Sequence, residues 1–357
     1  MHLSGYNYLV FACLVVASEQ WSISNETALR ASLLSGYNNL VRSSETPEVY
    51  MYFQMCSIDA IDIKEQIFKT SGWWFMTFVN DSRLVWDSAS NDNIQVVQMY
   101  EDAIWKPSIV VSNSIKDLSA IDEDTIPARV NYEGSVTWQP PGILSMSCEM
   151  DSTFFPFDRQ TCRLVVTSFG YSLNEVSIRT DEGVIMNYYA ENGDWAIKGM
   201  THERSIYYDG GYPFSKVTFS VSVKRRSIFH WINIIIPILI NSFLCCFVFL
   251  LPADSGEKMG YSLTCLLAFV VLLTLLAADM PTSAKYTSLL EIYITLSLGF
   301  SALTVFLSQL NLHIHFRDDE VHPVEGKILR LTKFAMYLVG DKHLKAASSK
   351  STLNIFR

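Results

Sequence analysis

Cys148 and Cys162 bracket the segment CEMDSTFFPFDRQTC, the most chemically pointed stretch of the chain. In a secreted, oxidising context two such cysteines pair by default. Closing a loop of this size contributes roughly 3 kcal/mol by chain entropy. Phe154, Phe155, Pro156 and Phe157 sit inside it, and so small a ring has no core to hide them. They must press outward against something else. The rest of the sequence is poor in reactive groupings. It has no nucleophile–base pair, no Cys/His cluster at metal-ligand spacing and no glycine-rich phosphate loop, so an enzyme, a metal and a cofactor are not expected.

Other residues carry charge and polarity. Acidic residues outnumber basic ones, 36 to 27, for a net charge of −9. Most of that excess lies before residue 227. It argues against nucleic acid as a partner and suits a cationic ligand or permeant ion, or serves solubility alone. Asn25-Glu26-Thr27 and Asn80-Asp81-Ser82 are glycosylation sequons. In the apolar run after Glu257, the residues Gly260, Thr264, Leu267, Val271 and Ala278 recur at helical spacing on one face. Such a face lines a water-filled pore, with Leu267 and Val271 as an apolar constriction and Glu257 in a ring of carboxylates at the mouth. It would equally pack against a neighbouring helix through its small residues.

The elements that must position these groups fall into two unlike halves. Residues 1–19 resemble a secretory signal peptide, with an apolar run from Tyr8 to Ala17, and Cys13 leaves with it. Residues 20–226 are polar and aromatic. A short amphipathic helix is expected over 25–39. Period-two runs follow in VYMYFQMCSIDAID, QIFKTSGWWFMTFV, SVTWQPPGILSMSC, CRLVVTSF, EVSI and KVTFSVSVKR, separated by turn residues. Many strands without intervening helices predict an extracellular all-β sandwich. Cys56 lies in one such strand without an evident partner.

From 227 to 312 the chain is almost continuously apolar. Spans are expected at 229–251, 259–278 and 286–307, each long enough to cross a bilayer of about 30 Å. The signal peptide puts the sandwich outside, the 252–258 link in the cytoplasm and the 279–285 link outside. Cys245, Cys246 and Cys265 read as packed thiols. Residues 313–357 form a cytoplasmic segment in which 326–345 is basic and amphipathic, suited to the inner membrane face.

Taken together, the ring with its FPFD centre, Trp105-Lys106-Pro107, RSIFHWINIIIPILI and FLLPADSGEK resemble the Cys-loop, or pentameric ligand-gated ion channel, superfamily, most closely its nicotinic acetylcholine receptor branch. The resemblance runs from Asn25 through Asp319. It implies a subunit of a cation-selective channel in the plasma membrane, postsynaptic or sensory. Expected partners are four homologous subunits, membrane lipid, permeant cations and an extracellular small-molecule ligand. It also implies that Phe155, Pro156, Phe157 and Asp158 couple the sandwich to the link near Pro281–Tyr286, with Arg225 as the basic residue of the junction. The usual acidic partner of that arginine falls on Lys64, beside Glu65. No apolar run after Leu312 matches the family's fourth membrane helix. A fragment, a splice form and a non-conducting assembly partner all remain open.

The implied ligand cage is incomplete. The usual aspartate after Trp105-Lys106-Pro107 is Ser108, the cage tyrosine is Ser112, and the usual tryptophan falls on Phe169. The hairpin Ile206–Tyr212 lacks vicinal cysteines but offers Tyr207, Tyr208 and Tyr212. On the opposite face the resemblance assigns Trp74, with Thr137 and Gln139. Fewer and poorer π faces imply weak acetylcholine binding and leave room for a chemotactile-type receptor for apolar ligands.

Overall fold

The computed structural model describes residues 22–78, 81–116, 118, 121, 126–280 and 285–316. The expected signal peptide, the acceptor Asn80 and the amphipathic stretch 326–345 lie outside the described residues. The chain divides into two compact units. One comprises the chain to Asp151 together with Arg159–Arg226; the other comprises Ser152–Asp158 together with the chain from Ser227.

The first unit opens with α1 (Ile23–Leu34), shorter than its expected range. Its amphipathic face is slight, because Leu29 is its one buried residue. Twelve strands follow among the described residues: β1 (Glu48–Asp62), β2 (Ile67–Phe78), β3 (Val96–Met99), β4 (Ile109–Val111), β5 (Ala128–Asn131), β6 (Val136–Trp138), β7 (Pro141–Ser147), β8 (Arg159–Ser168), β9 (Ser177–Arg179), β10 (Val184–Ile185), β11 (Trp195–Asp209) and β12 (Tyr212–Arg225). One sheet runs β10-β1-β2-β6-β5-β3, with β7 also on β2 and β9 also on β1; the other runs β11-β12-β8-β4.

Strand alternation builds the core between the sheets. In β12, Val217, Phe219, Val221 and Val223 are buried and the intervening residues are half-exposed. Burying each such side chain stabilises by about 1.5–3 kcal/mol. Phe219 meets Trp74 of β2 with ring centroids 5.9 Å apart. At Gly72 an added Cβ would lie 2.2 Å from the Gln54 carbonyl oxygen, so only glycine lets β1 and β2 close there. The β11–β12 hairpin turns on Gly210 and Gly211, both at positive φ, as a two-residue hairpin loop demands. Cys148 and Cys162 are bonded, with Cα atoms 5.2 Å apart. The bridge ties the chain leaving β7 to β8 in the other sheet.

A polar knot fastens the chain after α1. Tyr37 Oη donates to Asp81 Oδ2 at 2.7 Å, and Arg83 donates to both Asp81 oxygens, at 2.8 and 2.7 Å. The Trp105 amide donates to Tyr37 Oη at 3.1 Å, so the knot also fixes the approach to β4.

The second unit holds three helices long and apolar enough to cross a membrane: α2 (Ile228–Leu250), α3 (Lys258–Asp279) and α4 (Leu289–His315). α2 and α3 lie within one residue of the expected spans, whereas α4 runs to His315, beyond the expected end at 307. In α2 a π turn occupies Trp231–Ile235 just before Pro237. The proline ring has no N–H and would clash with the carbonyl four residues back, and the wider turn accommodates it. Polar bonds tie the helices together. Asn241 Nδ2 donates to the Cys265 carbonyl at 3.3 Å, and Tyr261 Oη to the Leu244 carbonyl at 3.0 Å. Cys265 is buried, but Cys246 is exposed, contrary to its reading as a packed thiol. It lines an open groove of about 410 Å³ with Phe269 of α3 and Tyr293 and Leu296 of α4.

Candidate functional site

The ring delivers its aromatics as so small a loop must. Phe154 and Phe157 are exposed while Phe155 is buried. Within the second unit Phe155 sets its ring on His230, centroids 5.1 Å apart, and Phe157 on Trp231 at 6.3 Å. The expected docking near Tyr286 runs through the neighbouring residues. Ser152 Oγ donates to the Tyr286 carbonyl at 3.0 Å, and the Leu289 amide to the Thr153 carbonyl at 3.0 Å. Most of the 279–285 link, 281–284, lies outside the described residues. Asp158 is buried in this unit. Arg225 is also buried and stacks its guanidinium 4.1 Å above the Trp195 ring.

One candidate ligand cleft, of about 620 Å³, lies between the β8–β9 connection and the β11–β12 hairpin. Phe169, Tyr207, Tyr212 and Phe214 give it π faces, and Glu175 and Asp209 give it acid. Phe169 is 68% exposed, so it is available to a ligand. Tyr207 is held by stacking on Phe214 and by a hydrogen bond from Thr167 Oγ1 to its hydroxyl at 3.1 Å. Tyr208 is exposed near the hairpin tip, outside the residues that line the cleft. Ser112 is likewise exposed and spends its hydroxyl on the Val165 carbonyl at 3.3 Å. Glu175 accepts from the Ser172 amide and hydroxyl, which hold its carboxyl below the usual carboxylate range.

A second cleft, of about 270 Å³, opens on the other sheet. Thr137 and Gln139 line it, but Trp74 does not. Trp74 is 1% exposed and packs between Phe53 and Phe219, so its assignment to a ligand-facing position is corrected. Strand parity is the cause, since one residue's slip moves a side chain to the opposite face. Trp73 takes the outer face instead, against Tyr188, and Phe75 stacks on Tyr52 and lines the cleft. Phe68, Met76 and Phe78 share the parity of Trp74, while Lys69, Ser71 and Thr77 share that of Trp73, so the sequence already carried the signal. The cleft also contains Arg129, a residue that sequence reasoning missed.

In α3, Lys258, Ser262, Cys265, Phe269 and Leu276 are buried. Gly260, Thr264, Leu267, Val271 and Ala278 lie on the uncovered side, with Leu267 63% exposed, and Glu257 is exposed at the N-terminal end. Thr264 returns its hydroxyl to the Gly260 carbonyl at 2.8 Å, so it presents a satisfied hydroxyl rather than an orphan. Asn25 is exposed on α1 and donates to Asp92 Oδ2 at 2.5 Å.

The described residues thus comprise a disulfide-ringed β-sandwich with two surface clefts and three apolar helices. Two family models match, described as the neurotransmitter-gated ion-channel ligand binding domain over residues 26–227 and the neurotransmitter-gated ion-channel transmembrane region over 234–350. The chain belongs to the neurotransmitter-gated ion-channel family. It is 33% identical over 314 residues to the neuronal acetylcholine receptor subunit alpha-6 of Homo sapiens, covering 84% of this chain and 62% of that protein. It is 30% identical over 315 residues to the acetylcholine receptor subunit alpha-like of Manduca sexta, covering 84% and 61%. It is 32% identical over 338 residues to the neuronal acetylcholine receptor subunit alpha-9-I of Oncorhynchus mykiss, covering 90% and 58%. The chain thus spans about three fifths of the length of these relatives.

Proposed function

We propose that the chain is a subunit of a plasma-membrane, ligand-gated, cation-selective channel that assembles with four homologous subunits and opens when an extracellular small molecule binds between them. The observation that carries this reading is the pair of unlike clefts on one sandwich. One is aromatic and acidic and the other is built on a different sheet. A head-to-tail contact, repeated around a closed ring, sets the first cleft of each subunit against the second cleft of the next. Ligand binding there would move the β11–β12 hairpin, and the Cys148–Cys162 ring would carry the motion toward α2 and α4. The uncovered side of α3 supports a pore lining. Leu267 and Val271 would exclude water when closed, and the carboxylates of Glu257 would concentrate cations and repel anions. This is transport by gating, with no catalytic step.

The test is ligand-evoked current from cells expressing the chain alone and with neuronal acetylcholine receptor subunits. Reversal potentials should follow the cation gradient, and Glu257→Lys should lower cation conductance. A chain that reaches the surface in assembled receptors, yet whose Glu257→Lys and Leu267→Thr variants leave every current unchanged, would be a non-conducting partner instead.

A further inference from the structure

The end of α4 is tied to the link between α2 and α3 by a contact that can titrate. His315, the last residue of α4, sets Nε2 2.7 Å from Asp254 Oδ1. Asp254 sits in a single 3-10 turn, Ala253–Ser255, in which the Ser255 amide and hydroxyl both donate to the Pro252 carbonyl, at 3.3 and 2.8 Å. Gly256 then turns the chain at positive φ, and Glu257 follows at the start of α3. The Asp254 side chain is 81% exposed and that of His315 33%, so protons from solvent reach both.

The charges around this pair are few. The link supplies Asp254, Glu257 and Lys258, α4 supplies His313 beside His315, and residues 248–251 at the end of α2 supply none. Lys258 is buried, and its ammonium donates to the Leu251 carbonyl at 3.3 Å instead of to either carboxylate. His313 is exposed and makes no ion pair among the described residues. Carboxylates and ammonium groups ordinarily keep their charge from about pH 6 to 8, whereas an imidazole ordinarily changes its own there. Of the two imidazoles, His315 is the one in contact with a carboxylate. With its ring protonated the contact is an ion pair of no net charge. With the ring neutral it is at most a hydrogen bond, and Asp254 keeps its full negative charge.

We propose that His315 is a cytosolic proton switch on cation passage. This rests on the channel reading above, which puts the link in the cytoplasm and Glu257 at the inner mouth, and adds to it a means of regulation. In alkaline cytosol Asp254 and Glu257 together draw cations to the mouth. In acid cytosol protonated His315 cancels Asp254, and Glu257 is left to act alone. Outward flux, which starts from that mouth, falls. A unit charge about 10 Å from the ions changes their local concentration about 1.2-fold with physiological screening and about 2-fold without it. A change of about 1.2- to 2-fold is therefore expected for each copy of the chain in the assembly.

Inside-out patches from cells expressing the chain with neuronal acetylcholine receptor subunits test the switch, with acetylcholine in the pipette and outward single-channel conductance read at cytosolic pH of about 6, 7 and 8. The channels that contain this chain are the conductance class that Glu257→Lys shifts. Their conductance should fall about 1.2- to 2-fold per copy between about pH 8 and 6. His315→Gln should hold it at the alkaline level throughout, while His315→Arg and Asp254→Asn should hold it at the acid level. His313→Gln should titrate as wild type does. If Glu257→Lys shifts no conductance class, the channel reading falls and the switch with it. If Glu257→Lys does shift one, but wild type is flat across this range or the fall persists in His315→Gln, the channel reading stands and the switch is overturned.

Discussion

Asp81 is the acceptor at the centre of the knot that holds the Tyr37 loop, and Asp81→Asn should be the most informative single change in the sandwich. Its carboxylate accepts from Tyr37 Oη, the Arg83 amide, Arg83 Nε and Arg83 Nη2, all between 2.7 and 3.0 Å. Its side chain is 3% exposed and that of Arg83 is 29% exposed. Burial pushes the Asp81 pKa up, but the Arg83 guanidinium, the Tyr37 hydroxyl and the Arg83 amide outweigh it and hold the carboxyl below its ordinary range. Breaking a fully buried ion pair costs about 3–5 kcal/mol. Arg83 retains some water, so about 2–3 kcal/mol is expected here, or about 5–10 °C in apparent melting temperature for a unit of this size. The depressed carboxyl fixes the pH dependence. Its contribution is present above the unfolded value near 3.9 and is lost as pH falls through the folded one, so wild type and variant should converge in acid. Tyr37 behaves oppositely. Burial, aided by Asp81, pushes its hydroxyl up to about 12. Stability should therefore fall as pH rises from about 10 toward that value, and Tyr37→Phe should remove the alkaline loss. The assay is thermal unfolding of the detergent-solubilised chain, followed by tryptophan fluorescence at a fixed scan rate. An Asp81→Asn variant within about 1 °C of wild type at pH 7, or destabilised equally at pH 3 and pH 7, would refute the reasoning.

Trp74→Ala should cost about 3–5 kcal/mol and reduce surface delivery, whereas Trp73→Ala should fold and alter ligand response; surface biotinylation beside dose–response curves separates them. Cysteines placed at Thr264, Leu267 and Val271 should react with charged thiol reagents when the channel opens, and one at Phe269 should not, read as irreversible change in current. Peptide mapping of mature protein should find Cys148 and Cys162 oxidised to each other, and Cys148→Ser should cost about 2–5 kcal/mol or block assembly.

Much of the fold was legible because its strongest signals are local. The three apolar runs give α2 and α3 within one residue and locate α4, whose helix continues past the apolar run to His315, since length and hydropathy alone mark a membrane span. β1, β2, β8 and β12 announce themselves by apolar residues at alternate positions, and the Cys148–Cys162 pairing by context. β11 was invisible for an equally physical reason. Its WAIKGMTHERSIYYD is exposed over most of its length and has no sustained alternation. It is a strand because β12 presents a long edge whose backbone groups need partners, and the Gly210-Gly211 turn folds it back onto that edge.

The candidate site divides along the same line. Tyr207, Tyr212 and Phe169 could be found from the hairpin and the strand after the ring, because each sits beside a recognisable local feature. Trp74 was misassigned although the pattern that turns Trp73 outward lies within the strand itself: two adjacent tryptophans differ only in parity, and the neighbours at alternate positions fix it. Arg129 is different in kind. Nothing in PARVN marks it, for an isolated arginine on a short strand reads as a solvated charge. Its place in the cleft comes from the register that sets β5 against β6 and β6 against β2, so that a residue of one strand shares a cleft with Phe75, more than fifty positions earlier. Register between distant strands is set by the whole sheet, and the cleft it creates appears only once the sheet has formed.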